Sequence, residues 1–145
     1  MEDSITRENG IFMKLTTKSE YCLLALIYIA RNENMGYVRS KDICEFYNIS
    51  RKYVESLLSL LKTNGIIKAK TGKGGGFKLA RKSNEISLAE IIRTMDGALA
   101  PVLSVSKFFH EDTPLMKEPT LLCVFGEIRD YISNRLENTF LSSFL

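Results

Sequence analysis

The side chains best equipped for chemistry in this chain are few and far apart. Three cysteines stand at Cys22, Cys44 and Cys123, and the single histidine is His110. A multi-histidine metal site is therefore impossible within one chain, and a Ser-His-Asp arrangement would rest on His110 alone. An odd number of widely spaced cysteines is not a secreted disulfide framework and points to a reducing compartment. Cys22 and Cys44 fall in apolar helical patterns, where free cysteine behaves as a small hydrophobe. Cys123 follows the stretch Phe108-Phe-His-Glu-Asp112. With His110 and neighbouring carboxylates it is the candidate redox or sensor residue, and a conceivable iron or zinc ligand. The spacing fits no standard finger or ferredoxin pattern, so no metal site is assigned.

The second concentration is glycine, in Gly72-Lys-Gly-Gly-Gly76. A phosphate-binding P-loop needs a lysine–hydroxyl pair opening a helix. Here the run leads instead into Phe77-Lys-Leu, a strand-like segment. A tight hairpin tip fits better, its missing side chains letting backbone at Gly74 and the Lys73 ammonium approach a sugar-phosphate backbone. With no clustered catalytic groups, the chain does not read as an enzyme.

Positioning these residues requires a succession of short elements. Thr17-Lys-Ser-Glu20 has the form of a capping box, and Tyr21 to Ala30 is apolar all round, a helix that others must surround. Ser40 is expected to cap a short helix that ends at Asn48, a residue suited to the left-handed position. Ser50 caps the next helix. Val54, Leu57, Leu58 and Leu61 form its apolar stripe, and Asn64-Gly65 ends it. Its opposite face carries Arg51, Lys52, Tyr53, Glu55, Ser56, Ser59, Lys62 and Thr63. Two short helices with a polar, basic outer face on the second read as a helix-turn-helix. The hairpin that follows, Ile66 to Lys70 and Phe77 to Ala80, makes this a winged helix, and Lys68, Lys70, Lys73 and Lys78 make the wing basic. Ser87 caps a further helix, with Leu88, Ile91, Ile92 and Met95 inward and Gly97 at its end.

Beyond Gly97 the pattern changes. Ala98 to Pro119 reads as a loop. Thr120 to about Asn138 reads as a long helix with Leu121, Leu122, Phe125, Ile128, Ile132 and Leu136 at helical steps. A second copy of that helix is the expected cover for its apolar side. The fold class is thus mainly α with a small β-hairpin. A flexible extension is expected over 1–12, with Met13 a second plausible start. A winged helix-turn-helix DNA-binding domain is expected over 13–97, the loop over 98–119, and a dimerisation helix and tail over 120–145.

Charge supports a polyanionic partner. The chain of 145 residues carries +3 overall, but Lys14 to Lys82 carries +9 and the remainder −6. Such asymmetry fits nucleic-acid binding by one half. No apolar run is long enough to span a bilayer, and the polar, acidic start is not a signal peptide. Cytoplasmic location is expected. On these residues Ser50, Arg51, Lys52, Tyr53, Glu55, Ser56, Lys70, Lys73 and Gly74 are the candidate DNA contacts. Lysines on such a helix mostly meet phosphate, whereas Glu55 is suited to accept from a cytosine amino group.

MKLTTKSEYCLLALIYIA, the segment IS-x-x-YVE-x-L-x-x-L-x-x-x-GII, the wing GKGGGF-x-L and ISLAEIIRTMDG together resemble the bacterial Rrf2 winged-helix repressors. The resemblance is detailed from Met13 to Gly97 and looser to Leu145. It implies a homodimer joined by the long C-terminal helix, binding a palindromic operator on double-stranded DNA, with a helix in the major groove and the wing in the minor groove. It places Tyr53, Glu55 and Ser56 at base-reading positions. The family's wing commonly reads R-G-x-x-G-G-Y; Thr71 and Phe77 stand here in place of the arginine and the tyrosine. Cluster-binding members carry three cysteines before the long helix, where this chain has Ser104, Ser106 and only Cys123. It therefore resembles a cluster-free member, responding to a redox, thiol or partner-protein signal. The alternatives are a winged-helix protein-interaction module that binds no operator, and an iron–sulfur sensor with atypical ligands drawn from Cys123 and His110.

Overall fold

The computed structural model describes residues 15–108 and 110–145; the extension expected over 1–12 lies outside them. Helix α1 (Thr17–Asn32) is the centre of the molecule, with Cys22, Ala25, Leu26 and Ile29 buried. The cap stands one residue earlier than the Thr17–Glu20 pattern suggests. Thr16 is extended, and its hydroxyl accepts from the Ser19 amide at 3.2 Å while donating to Asp96 Oδ1 at 2.6 Å. The Thr16 amide also donates to Asp96 Oδ2 at 3.1 Å. A buried carboxylate from a helix 80 residues away thus fixes the start of α1, a partner that no local pattern reveals.

Helix α2 (Ser40–Tyr47) begins at Ser40 rather than being capped by it. Arg39 holds the cap position without a side-chain bond to the backbone. Asn48 ends α2 at φ +54°, the left-handed conformation its short polar side chain tolerates. Ser50 then opens α3 (Arg51–Thr63) by accepting from the Tyr53 amide. Val54, Leu57, Leu58 and Leu61 are all buried against α1 and α2.

Strands β1 (Ile67–Lys70) and β2 (Gly76–Leu79) pair antiparallel, with Ile67 opposite Leu79 and Lys68 opposite Lys78. A third segment completes the wing: Val38 and Phe77 exchange backbone hydrogen bonds at 2.9 and 2.8 Å along the free edge of β2. Two glycines allow this packing. A Cβ on Gly76 would lie 2.4 Å from the Val38 carbonyl oxygen, and one on Gly75 would lie 2.2 Å from that of Lys70.

Helix α4 (Leu88–Asp96), capped by Ser87, turns Ile91, Ile92 and Met95 inward as its spacing predicts. Leu88 is only partly buried. The segment after Gly97 lacks a long helix, yet Ala98, Leu99, Ala100 and Leu103 to Ser106 are buried. Its first part, 98–106, is an interior strap, while Lys107, Phe108 and most of 110–118 are exposed.

Helix α5 (Pro119–Glu137) follows. Its apolar residues, read from sequence as one stripe, divide between two faces. Ile132 and Leu136 pack on Ala89, Ile92 and Leu99. Leu121, Val124, Ile128 and Tyr131 point outward, 41–73% exposed. The tail then returns to the first domain. Leu141 is fully buried in the main core, its amide donates to the Ile86 carbonyl at 3.0 Å, and Arg31 Nε donates to the Phe144 carbonyl at 2.8 Å.

Candidate nucleic-acid interface

Because α3 buries one stripe, its other face is left to solvent. Arg51, Lys52, Glu55 and Ser56 are exposed and Tyr53 is half-buried. The first turn of α3 holds no acidic residue, so the positive end of the helix dipole and its free amides add to the two cations there. Ser50 Oγ is used as an acceptor by the Tyr53 amide at 3.4 Å, which leaves its proton to donate. Ser56 Oγ donates to the Tyr53 carbonyl at 2.8 Å and keeps its lone pairs for an incoming donor. The Tyr53 ring rests edge-on against Tyr21 at 5.6 Å, so it is anchored to α1 rather than swinging freely.

One contact was not foreseen. Arg51 Nε donates to Glu55 Oε1 at 2.9 Å along the helix surface. Each side chain thereby occupies the other, and Glu55 restrains the cation that would meet phosphate. Lys52 has no such restraint. Among the described residues none of Lys52, Lys62, Lys68, Lys70, Lys73, Lys78 and Lys82 pairs with a carboxylate, whereas Arg39, Arg51, Arg81, Arg93 and Arg129 all do. Arg81 and Arg93 tie distant segments together and the other three pair locally, whereas the lysines of α3 and the wing are left without a carboxylate.

At the wing, Lys70, Lys73 and Gly74 are exposed, and Gly72 and Gly74 take positive φ. Tyr37, which sequence reasoning passed over, lies under this region, with Lys78 Nζ 4.9 Å and Lys70 Nζ 5.8 Å from its ring centroid. No local pattern marks it, since its role depends on Val38 pairing with β2.

The cysteines are separated by environment. Burial pushes the Cys22 thiol up to about 11 and raises that of Cys44 as well; Cys44 is half-buried. Cys123 is exposed on α5, beside an open groove of about 450 Å³ bordered by Ser104, Val105, Leu122, Gly126 and Arg129. His110 is exposed and pairs with Asp112 at 2.9 Å. Among the described residues no three histidine, cysteine or acidic side chains come together as a metal-holding group. Cys123 and His110 are therefore not joined in a ligand set.

A profile of the family described as "Rrf2: Iron-dependent Transcriptional regulator" matches residues 15–145. The chain belongs to the Rrf2 family. The HTH-type transcriptional regulator CymR of Bacillus subtilis (strain 168) is 30% identical over 129 residues, which span 89% of this chain and 87% of CymR. The HTH-type transcriptional regulator IscR of Escherichia coli (O139:H28, strain E24377A) is 37% identical over 87 residues, covering 60% of this chain and 54% of IscR. Among solved structures, CymR (YrzC), the global cysteine regulator of B. subtilis, superposes with a TM-score of 0.73 at 29% identity. That match covers 90% of this chain and 95% of that one. IscR of T. potens gives 0.68 at 27% identity, covering 90% and 84%.

These likenesses bear out the winged helix-turn-helix architecture. This Rrf2 protein is a DNA-binding transcriptional regulator and not an enzyme. The family description speaks of iron. The described residues do not fit an iron or iron–sulfur centre: Cys123 is the sole cysteine of the loop and long-helix region, and no second and third ligand gather beside it among them. No helix of the described residues is long and apolar enough to cross a membrane.

Proposed function

We propose that the protein is a cytoplasmic homodimeric repressor that reads a palindromic operator on double-stranded DNA. In this reading residues 13–97 form the DNA-binding unit, and α5 with its tail, over 120–145, joins the two protomers. The observation that carries it is the run of uncompensated lysines on α3 and the wing, two adjacent elements presenting positive charge from a rigid core. Arg51, Lys52 and the Ser50 hydroxyl meet backbone phosphates. Tyr53, Glu55 and Ser56 face base edges, and Lys70, Lys73 and Gly74 approach the sugar-phosphate backbone at the wing. The outward row Leu121, Val124, Ile128 and Tyr131 supports the dimer: it is too apolar to be left in water and has the spacing of a helix–helix seam.

The signal enters through residues 98–119 and the exposed Cys123, as a thiol or redox change or through a partner protein. The strap is well placed to relay it. Arg129 Nη1 donates to the Val105 carbonyl at 3.0 Å, and Arg93 joins α4 to Glu137 on α5 at 2.5 Å.

The test is binding of promoter fragments over a range of salt. Affinity should fall linearly on a log–log plot with a slope near −0.9 per phosphate contacted. Lys52→Ala should weaken every sequence alike and flatten that slope by about 0.9 per protomer. A purified protein that ignores duplex DNA in dilute buffer would overturn the reading.

A further inference from the structure

The outer face of the wing is more strongly basic than a hairpin requires. Strand alternation turns Ile67 and Leu79 to the core and Lys68, Lys70 and Lys78 outward. Lys68 and Lys78 are direct register partners, which puts two like charges about 5 Å apart at Cβ and opposes strand pairing. Neither is paired with a carboxylate among the described residues. The Tyr37 ring holds the Lys78 and Lys70 ammonium groups at 4.9 and 5.8 Å, so the charges are collected on one surface instead of dispersing into solvent.

This surface runs into an open groove of about 500 Å³ between the base of the wing and the turn after α1. Lys68, Lys78, Arg81 and Lys82 line it, with Glu33 and Glu85. Arg81 is occupied by Glu90, and Glu33 is occupied in accepting from the Leu79 amide at 2.9 Å. Glu85 is exposed and keeps its carboxylate free, but Lys68, Lys78 and Lys82 outnumber it as the groups left to bind, and an anion with repeated charges suits them.

We propose that Lys68, Lys78 and Lys82, with Tyr37 holding the Lys78 ammonium in place, form a second backbone-gripping surface for duplex DNA flanking the operator half-site. The inference rests on the reading of α3 and the wing tip as the operator-binding unit. DNA is the occupant because the surface is continuous with that tip through Lys70. Outward lysines two residues apart on a strand stand about 6.6 Å apart, a reach over which one DNA strand offers successive phosphates.

The experiment uses the full chain and a duplex selected by the wild-type protein from a randomised pool. The duplex is trimmed to its protected core and compared with the same core carrying flanks of arbitrary sequence. The wild type should bind the flanked duplex more tightly and with a steeper salt slope. Lys68→Ala combined with Lys78→Ala should abolish that difference while keeping affinity for the trimmed core, and Tyr37→Leu should reduce it. Circular dichroism melting establishes that each variant folds, and Lys82→Ala, away from the strand pairing, serves as a second variant. Equal flank gains in wild type and variants, or equal loss on both duplexes, would overturn the proposal. An acidic protein partner for this surface would show as the first of those outcomes. Failure to select any duplex would sink the operator reading itself, whereas selection without a flank effect sinks only this inference.

Discussion

At the scale of single residues, the proposed interface assigns the balance between attraction and discrimination to Glu55. Its carboxylate holds Arg51 at 2.9 Å on the same face that carries the unrestrained Lys52. The pair is exposed, so its own contribution to stability is slight, about 0.3–0.5 kcal/mol. Its effect is on binding: an acidic group facing DNA is repelled by phosphate unless a base donor satisfies it. Glu55→Ala should therefore release Arg51 to phosphate, tighten binding to arbitrary duplex, and relax preference at one base pair by about 1–3 kcal/mol. Titrations against single-base operator variants measure this, and an unchanged preference would remove Glu55 from base reading. Much at this scale was legible in sequence. Ser50 as cap, Asn48 in the left-handed position and the exposed face of α3 all follow from spacing within a dozen residues. The Arg51–Glu55 pair is equally local, i to i+4, and was open to the same reading. Tyr37 was not, because its contacts arise only when β2 is brought beside it.

At the scale of elements, what sequence conceals is whatever depends on a distant partner. The cap of α1 shifts to Thr16 because Asp96 is there to bind it. The hairpin gains a third segment at Val38. The apolar positions of α5 follow a helical period, yet they serve two faces, a division that periodicity alone does not show. The joint between α4 and α5 has a pH signature. The Arg93 hydrogen bond, aided by Ser133 and opposed by partial desolvation, holds the Glu137 carboxyl below its usual value. A carboxylate with a lowered folded-state pKa stabilises the fold above its unfolded value, and that contribution fades as pH falls through the folded one. Glu137→Gln should then lower the melting temperature at neutral pH. The effect should be small because the group is over a third exposed to screening solvent, and it should vanish in acid. Melting curves of both proteins across the acid range check this; a deficit that persists at low pH would mean the bond is not what α5 loses.

For the whole molecule the issue is how the proposed dimer would hold its two reading heads. The tail answers half of it. Leu141, fully buried beside α1, ties the end of α5 back into the winged domain, so a seam formed along α5 would hold two domains at a fixed separation. Ile128→Asp places a charge in the middle of that seam without touching the core. It should yield a folded monomer by analytical ultracentrifugation, with operator affinity reduced by orders of magnitude because the two half-sites are no longer linked. A variant that stays dimeric would place the seam elsewhere.

The most direct test of the central claim is a hydroxyl-radical footprint of the wild-type protein on a selected duplex at low salt. The account predicts two patches of backbone protection related by twofold symmetry, their centres about 34–36 Å or a multiple of that apart. Loss of Lys52 should weaken both patches together. A single unsymmetrical patch, or protection that ignores Lys52, would contradict it.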